Sequence, residues 1–426
     1  MRFLRHKGYN ADLVCSNEFS HFLPQADTFE DIYLKHIEEF EYTKTDILHA
    51  NKLAVNIYFS KYDFIIACGA PIAYLTYARV KIDIVIPYGS DLYNLPFYEP
   101  TDKHDRILDK WRITFAQNQK AGIENASAII MDYTSDDFEK VYDKFNLKGK
   151  RYKYPCPFIF TPEFNWKSNT HLQNLSSFSD NMKAIRSRFD FVAFSHIRQS
   201  WKNPEDMWSY KGNDRIFKAF KNFLTITKSR SCLIAFEYGI DVENSKLLVK
   251  ELEIEQNVIW FPLMQRRDIL TMISYIDVGV GEIGNFSWFS YGAIYEFLCM
   301  KKPVIHRRDD NLYIGKVESL YPMLSASNEE QVTSALVDCY TNKTKTDKMA
   351  EEAYNWYIAN AIEAPVNFII STINNKSWRI YGYKKFANTF LAALLTFPLA
   401  SKNLAKSLMP NSLLGILRRK RINKTA

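Results

Sequence analysis

Short apolar runs rich in β-branched residues recur along the chain, separated by amphipathic stretches of helical period. The runs are FIIACG (64–69), DIVIP (83–87), SAIIMD (127–132), FVAFS (191–195), CLIAFEYG (232–239), VIWFP (258–262), DVGVG (277–281) and PVIH (303–306). Each is too short for a helix and is bounded by turn residues, so the pattern predicts parallel strands joined through helices in βαβ units. Met1 to Gly8 reads as a helix and ADLVCS as the strand after it. A doubly wound domain ordinarily opens with a strand, so the expectation is that either the start is truncated or the first domain lacks its first strand.

A chain of 426 residues exceeds what one hydrophobic core usually supports, and two domains of about 150 to 200 residues are expected. Between about 155 and 188 the periodic pattern fails in a segment rich in Pro, Ser and Asn, which reads as the interdomain connection. The expected organisation is a first domain at 1–160, a linker at 161–187, a second domain at 188–350, closing helices at 351–375 and a tail at 376–426. Such folds bind ligands at the carboxyl ends of their strands, in a cleft that the two domains would face.

Charge changes the picture only at one end. The net charge of +7 is carried by residues 376–426, which hold eleven Lys or Arg and no acid, leaving 44 basic against 48 acidic side chains in the body. Nucleic acid is therefore not an expected partner. Phe386, Phe390, Leu394 and Phe397 fall at helical spacing in that tail, flanked by Lys384, Lys385, Lys402, Lys406 and Arg418 to Arg421. The apolar run is shorter than the roughly 20 residues of a spanning helix, and a basic amphipathic segment suits an anionic membrane surface. A helix docked on the body with a solvated basic end is the alternative. Six scattered cysteines without CxxC spacing and the absence of an apolar leader point to a reduced, cytoplasmic protein.

Three clusters lie just after strands. In FSHIRQSW…YKGND, His196, Ile197 and Arg198 leave the strand, and Arg198 and Lys211 can converge on a phosphate ahead of a helix near Asp214. In EIGNFSWFSYGAIYEFLCM, Ser290 is expected to cap a helix, Gly292 to admit a diphosphate to its first N–H groups, and Glu296 to accept from two hydroxyls of a diol. In IVIPYGSDL, Asp91 either hydrogen-bonds a sugar hydroxyl or acceptor, or caps the following segment. Paired acids for general acid–base work and a Ser, His and Asp set are not evident.

In that order, RQSW…KGND, EYGIDVENSKLLVKELEIEQNVIWFPLMQRRDIL, IDVGVGE and YEFLCMKKPVI resemble the donor-binding domain of family 4-like (group 1) glycosyltransferases. PYGSDL resembles a motif of their first domain. The resemblance implies a GT-B fold, two doubly wound Rossmann-like domains facing a cleft, and a retaining, metal-independent hexosyl transfer from a UDP- or GDP-linked sugar without a further cofactor. A glycan or lipid-linked acceptor in cell-envelope polysaccharide synthesis, at the inner face of the cell membrane, is the implied setting. Arg198 and Lys211 match the basic pair that holds the donor diphosphate, and Glu296 matches the second acid of the E-x7-E motif, which binds the ribose. Trp288 stands where the first acid is usual. An indole cannot accept hydrogen bonds, so either it stacks on a sugar face while Glu282 or Asn285 makes the polar contact, with Tyr291 beside them, or the activity is lost and the chain is a silent GT-B relative that binds nucleotide or glycan as a partner module.

Overall fold

The structure, a computed structural model, describes residues 1–15, 31–43, 46–99, 109–131, 139–156, 159–163, 176–206, 209–287 and 289–375. Trp288 and the basic tail at 376–426 lie outside the described residues.

Twelve strands form three parallel sheets among the described residues. Six of them, β7 (Phe191–Ser195), β8 (Ser231–Phe236), β9 (Val258–Phe261), β10 (Val278–Val280), β11 (Val304–His306) and β12 (Leu324–Ser325), make one sheet in the order β9–β8–β7–β10–β11–β12. The order runs outward from β7 in one direction and then, from β10, in the other, which is the doubly wound arrangement with its topological switch point between β7 and β10.

The continuous apolar strands are explained by burial on both faces. Val192 and Phe194 join Cys232, Ile234 and Phe236 in the core on one face, while Phe191 and Ala193 join Leu233, Ala235, Val278 and Val280 on the other. The second face is covered by helix Asn213–Thr227, which buries Ile216, Phe217, Phe220 and Phe223 at helical spacing. On the first face the glycines of DVGVG make room: a Cβ on Gly279 would overlap the Phe297 ring, and one on Gly281 would overlap the Tyr291 hydroxyl. Helix Gly292–Cys299 is thereby seated directly on β10, and every residue from Ile294 to Cys299 is buried.

A four-stranded sheet has the order β3 (Ile66–Ala67), β4 (Ile84–Val85), β5 (Ala128–Met131), β6 (Lys150–Lys153). Helices Pro71–Tyr77 and Lys110–Asn125 pack together beside it, with Gly122 set so close to Ile72 and Thr76 that a Cβ there would overlap both side chains. The remaining strands, β1 (Leu13–Cys15) and β2 (Ile37–Glu39), pair with each other.

The chain divides into two compact units. One contains the described residues of Met1–Glu39, Asp132–Glu139 and Tyr154–Val366, with the six-stranded sheet; the other contains those of Phe40–Met131, Lys140–Lys153 and Asn367–Ala426, with the four-stranded sheet. Residues 1–39, expected in the first domain, therefore belong with the six-stranded sheet. Phe3, His6 and Tyr33 surround the Phe160 ring, and the Arg2 guanidinium pairs with Glu163 at 3.3 Å. The segment expected as an irregular linker contains helix Ser179–Arg188, whose Met182 and Ile185 enter the core. Its weak periodicity reflects a helix with a narrow buried stripe. The segment expected to close the second domain is helical, with Lys343–Tyr357, a π turn at Ile358–Glu363, and Ala364–Asn374, but from Asn367 it belongs to the unit with the four-stranded sheet. The π turn falls just before Pro365, which has no N–H for the regular ladder.

Candidate functional site

The loops that follow β7 and β10 flank the switch point, and their backbones are stitched together. Lys211 N–H donates to Ser200 O at 2.7 Å, and Ile283 N–H donates to Lys211 O at 3.0 Å. Gly212 has φ of 71°, and a Cβ there would overlap the Ile283 carbonyl; a Cβ on Gly284 would overlap the Tyr210 carbonyl. Only glycine satisfies both the left-handed backbone and the close approach at 212. Arg215 clamps the same junction, donating to Ile283 O at 2.8 Å, Ser327 O at 3.2 Å and Asn285 Oδ1 at 3.0 Å. Asn285 in turn donates to Pro204 O at 3.2 Å, so its amide serves the loop architecture.

The two expected phosphate ligands differ in surroundings. Arg198 is exposed and makes no hydrogen bond or ion pair with a described residue. Lys211 is largely buried, and its Nζ lies 2.9 Å from the Glu282 carboxylate. Glu282 is fixed through its backbone: its N–H donates to the Tyr291 hydroxyl, and its carbonyl accepts from Arg307 N–H at 3.0 Å.

Glu296 is 5% exposed because its helix is covered on every side. His196 Nε2 lies 2.5 Å from one carboxylate oxygen and Arg266 Nε 2.8 Å from the other. A carboxylate only accepts, so His196 Nε2 carries the proton of that bond. Burial pushes the Glu296 pKa up, yet the charges and hydrogen bonds of His196 and then Arg266 outweigh it and hold the acid below its ordinary value. His196 Nδ1 is buried without a hydrogen-bond partner among the described residues. Tyr238 donates to His196 O at 3.0 Å, and its pKa is raised to about 12 by burial and the negative charge of Glu296, with Arg198 opposing. Arg198, Glu282 and Glu296 thus share one electrostatic neighbourhood around the Tyr238 hydroxyl.

The capping expected of Ser290 is not found. Helix Gly292–Cys299 has Tyr291 at its cap position, in extended backbone, and no side chain caps it. Ser290 stands one residue too early, and its Oγ is buried without a partner among the described residues. Gly292 is the first helical residue, where the expected ligand-facing N–H groups begin.

Asp91 lies in the other unit and is 2% exposed. Its carboxylate accepts N–H bonds from Gly69 at 2.9 Å, Tyr88 at 3.1 Å and Gly89 at 2.9 Å. Gln119 Nε2 donates to Asp91 O at 3.0 Å and to Gly69 O at 3.2 Å, extending the same network. Asp91 lies inside the helix Ser90–Tyr93, which no side chain caps, so it does not cap the segment that follows; its carboxylate instead gathers N–H groups of residues that precede the helix. Burial raises its pKa against the opposing pull of these N–H groups.

Sequence reasoning gave no role to Arg266 or Tyr238 and none to the His196 ring. Arg266 and Tyr238 follow strands β9 and β8, and the rule that residues after strands build the site would have found both. Among the described residues no group of three or more His, Cys, Asp or Glu could hold a metal ion, and no helix is long and apolar enough to cross a membrane.

No family model matches the chain, and no curated protein matches it in sequence. Solved structures do match in fold. Sucrose-phosphate synthase from Thermosynechococcus elongatus superposes with a TM-score of 0.53 at 14% identity, covering 87% of this chain and 90% of that one. A glycosyltransferase from Rickettsia africae gives a TM-score of 0.50 at 12% identity, covering 86% of this chain and 100% of that one. Anabaena HepE in complex with UDP gives 0.49 at 14% identity, covering 79% and 85%. With parallel sheets in two units, one of them doubly wound, and the likeness in fold to the sucrose-phosphate synthase and the Rickettsia glycosyltransferase, the chain has the GT-B fold.

Proposed function

We propose that the protein is a glycosyltransferase that takes its sugar from a nucleotide donor held at the switch point of the six-stranded sheet. The observation that carries this reading is the junction of the β7 and β10 loops, where Arg198, Lys211 and the first N–H groups of helix Gly292–Cys299 follow adjacent strands. The fold likeness to sucrose-phosphate synthase and to the Rickettsia glycosyltransferase supports it. Departure of the nucleotide leaves charge on the β-phosphate, and preorganised cations and helix N–H groups stabilise that charge most in the transition state. A phosphate oxygen then takes the acceptor proton, which gives a retaining, metal-independent transfer without a strong protein base. The donor is UDP- or GDP-linked, and the acceptor is a glycan or lipid-linked chain of the cell envelope, met at the membrane surface through the basic tail.

Incubation with labelled UDP- and GDP-sugars and membrane lipid extracts tests the reading. Transfer or slow donor hydrolysis, reduced in Arg198→Ala, is expected; no turnover of any donor, with unchanged binding in the variant, rejects it.

A second reading, a catalytically silent relative that binds nucleotide or glycan, is favoured by one feature. Both oxygens of Glu296 are already taken by His196 and Arg266, which leaves the carboxylate poorly placed to serve a diol. Nucleotide binding without transfer of any sugar would assign the protein to this class.

A further inference from the structure

We propose that Glu282 is a built-in counter-anion, seated on Lys211 in the place of a ligand phosphate, which a diphosphate must displace in order to bind. The inference rests on the donor-site reading above and adds a charge threshold to it.

Three observations carry it. Lys211 Nζ and the Glu282 carboxylate are 2.9 Å apart, with only 11% and 14% of the two side chains exposed. At such burial the attraction is far less screened than on a surface. The backbones of both residues are pinned, Lys211 through Ser200 O and Ile283 N–H, Glu282 through the Tyr291 hydroxyl and Arg307 N–H. The pair can therefore separate by side-chain rotation alone, with the loops unmoved. Gly212 and Gly284 lock the same junction by close backbone approach.

An occupied lysine discriminates between anions. A singly charged ligand offers Lys211 no more than Glu282 already gives, and it also meets the carboxylate as a like charge. A diphosphate brings more charge and further acceptors for Arg198 and the helix N–H groups, so it outcompetes the carboxylate. Glu282 accordingly weakens binding of every anion at Lys211 and filters out the weakly charged ones. This role is opposite in sign to a Glu282 that contacts the transferred sugar.

Calorimetric titration of UDP, GDP, ADP and inorganic pyrophosphate into the full chain tests the proposal, using wild type, Glu282→Gln, Glu282→Ser, Lys211→Gln and the double variant Glu282→Gln with Lys211→Gln. Either Glu282 variant suffices, because both remove the charge, and circular dichroism identifies the one that folds. The expected result is binding of the preferred nucleoside diphosphate about tenfold tighter than wild type, equivalent to about 1.4 kcal/mol. Melting of the ligand-free variant is expected to be no higher than wild type, and the gain to vanish in the Lys211→Gln background. Affinity in the folded Glu282 variant that is equal to or below wild type overturns the inference and leaves the donor-site reading standing. Absence of nucleoside diphosphate binding by wild type and variants alike overturns both.

Discussion

His196 and Glu296 stand one hundred residues apart in sequence and share a 2.5 Å hydrogen bond, which ties the end of β7 to the helix after β10 across the switch point. Arg266 completes the set from the end of β9. The contacts make this acid a keystone at the carboxyl ends of the strands of the six-stranded sheet. Replacing it with alanine removes the shared partner of His196 and Arg266, and losing one member of a buried pair costs about 3–5 kcal/mol. Glu296→Ala is therefore expected to lower the urea midpoint markedly. Lost nucleoside affinity at an unchanged midpoint would instead assign Glu296 to the ribose.

The same pair predicts a pH response. The folded-state pKa of Glu296 is below its ordinary value, so its contribution is fully present above the unfolded value near 4.5 and is lost as pH falls through the folded one. His306 acts in the same direction at higher pH. It is fully buried, and burial together with the Arg308 charge lowers its pKa to about 3 from 6.5. Below pH 6.5 the unfolded chain takes up a proton that the folded His306 does not, so stability falls by up to about 1.4 kcal/mol per pH unit toward pH 3. Urea unfolding from pH 7 to 4 checks this, and the slope is expected to be shallower in His306→Gln.

Glycine at the loop junction is required by shape. Gly212→Ala and Gly284→Ala each drive a methyl group into a backbone carbonyl, and the first also strains a φ of 71°. A loss of roughly 1–3 kcal/mol is expected for each, with weakened nucleotide binding. The corresponding Gly8→Ala change meets no neighbouring atom and serves as a comparison for backbone strain alone.

Arg198 and Asp91 separate function from architecture. Arg198 is exposed, so Arg198→Ala is expected to leave stability within about 0.5 kcal/mol while reducing donor turnover by one to two orders of magnitude. Asp91→Ala leaves three buried or half-buried N–H groups without their acceptor, an effect on the order of 2–3 kcal/mol. Thermal unfolding and turnover measured side by side on the two variants test the division. A stable Asp91→Ala protein that has lost only turnover would give Asp91 a chemical role.

Much of the fold was legible because strand signals are local. β3, β4, β5, β7, β9, β10 and β11 each fall within an apolar run read from the sequence, β8 begins one residue before its run, and β1 falls within ADLVCS. β6, with the sequence KRYK, was hidden because its residues are polar and only pairing with β5 makes it a strand. β12, two residues long, was hidden in the same way beside β11. The placement of residues 1–39 with the six-stranded sheet was equally beyond local reading, since it depends on Phe160 and Glu163 more than a hundred residues away.

At the site, the sequence by itself determined which residues follow which strands: Arg198 and Lys211 after β7, Glu282 to Glu296 after β10, and Asp91 after β4. Tertiary structure alone decided what each side chain touches. Helical period could not tell that Glu296 sits on the covered side of a helix buried all round, where it needs His196 and Arg266. Nor could spacing show that Lys211 already holds a carboxylate. Such pairings depend on how strands are ordered in the sheet, and that order is fixed by burial over the whole unit rather than by any stretch of chain.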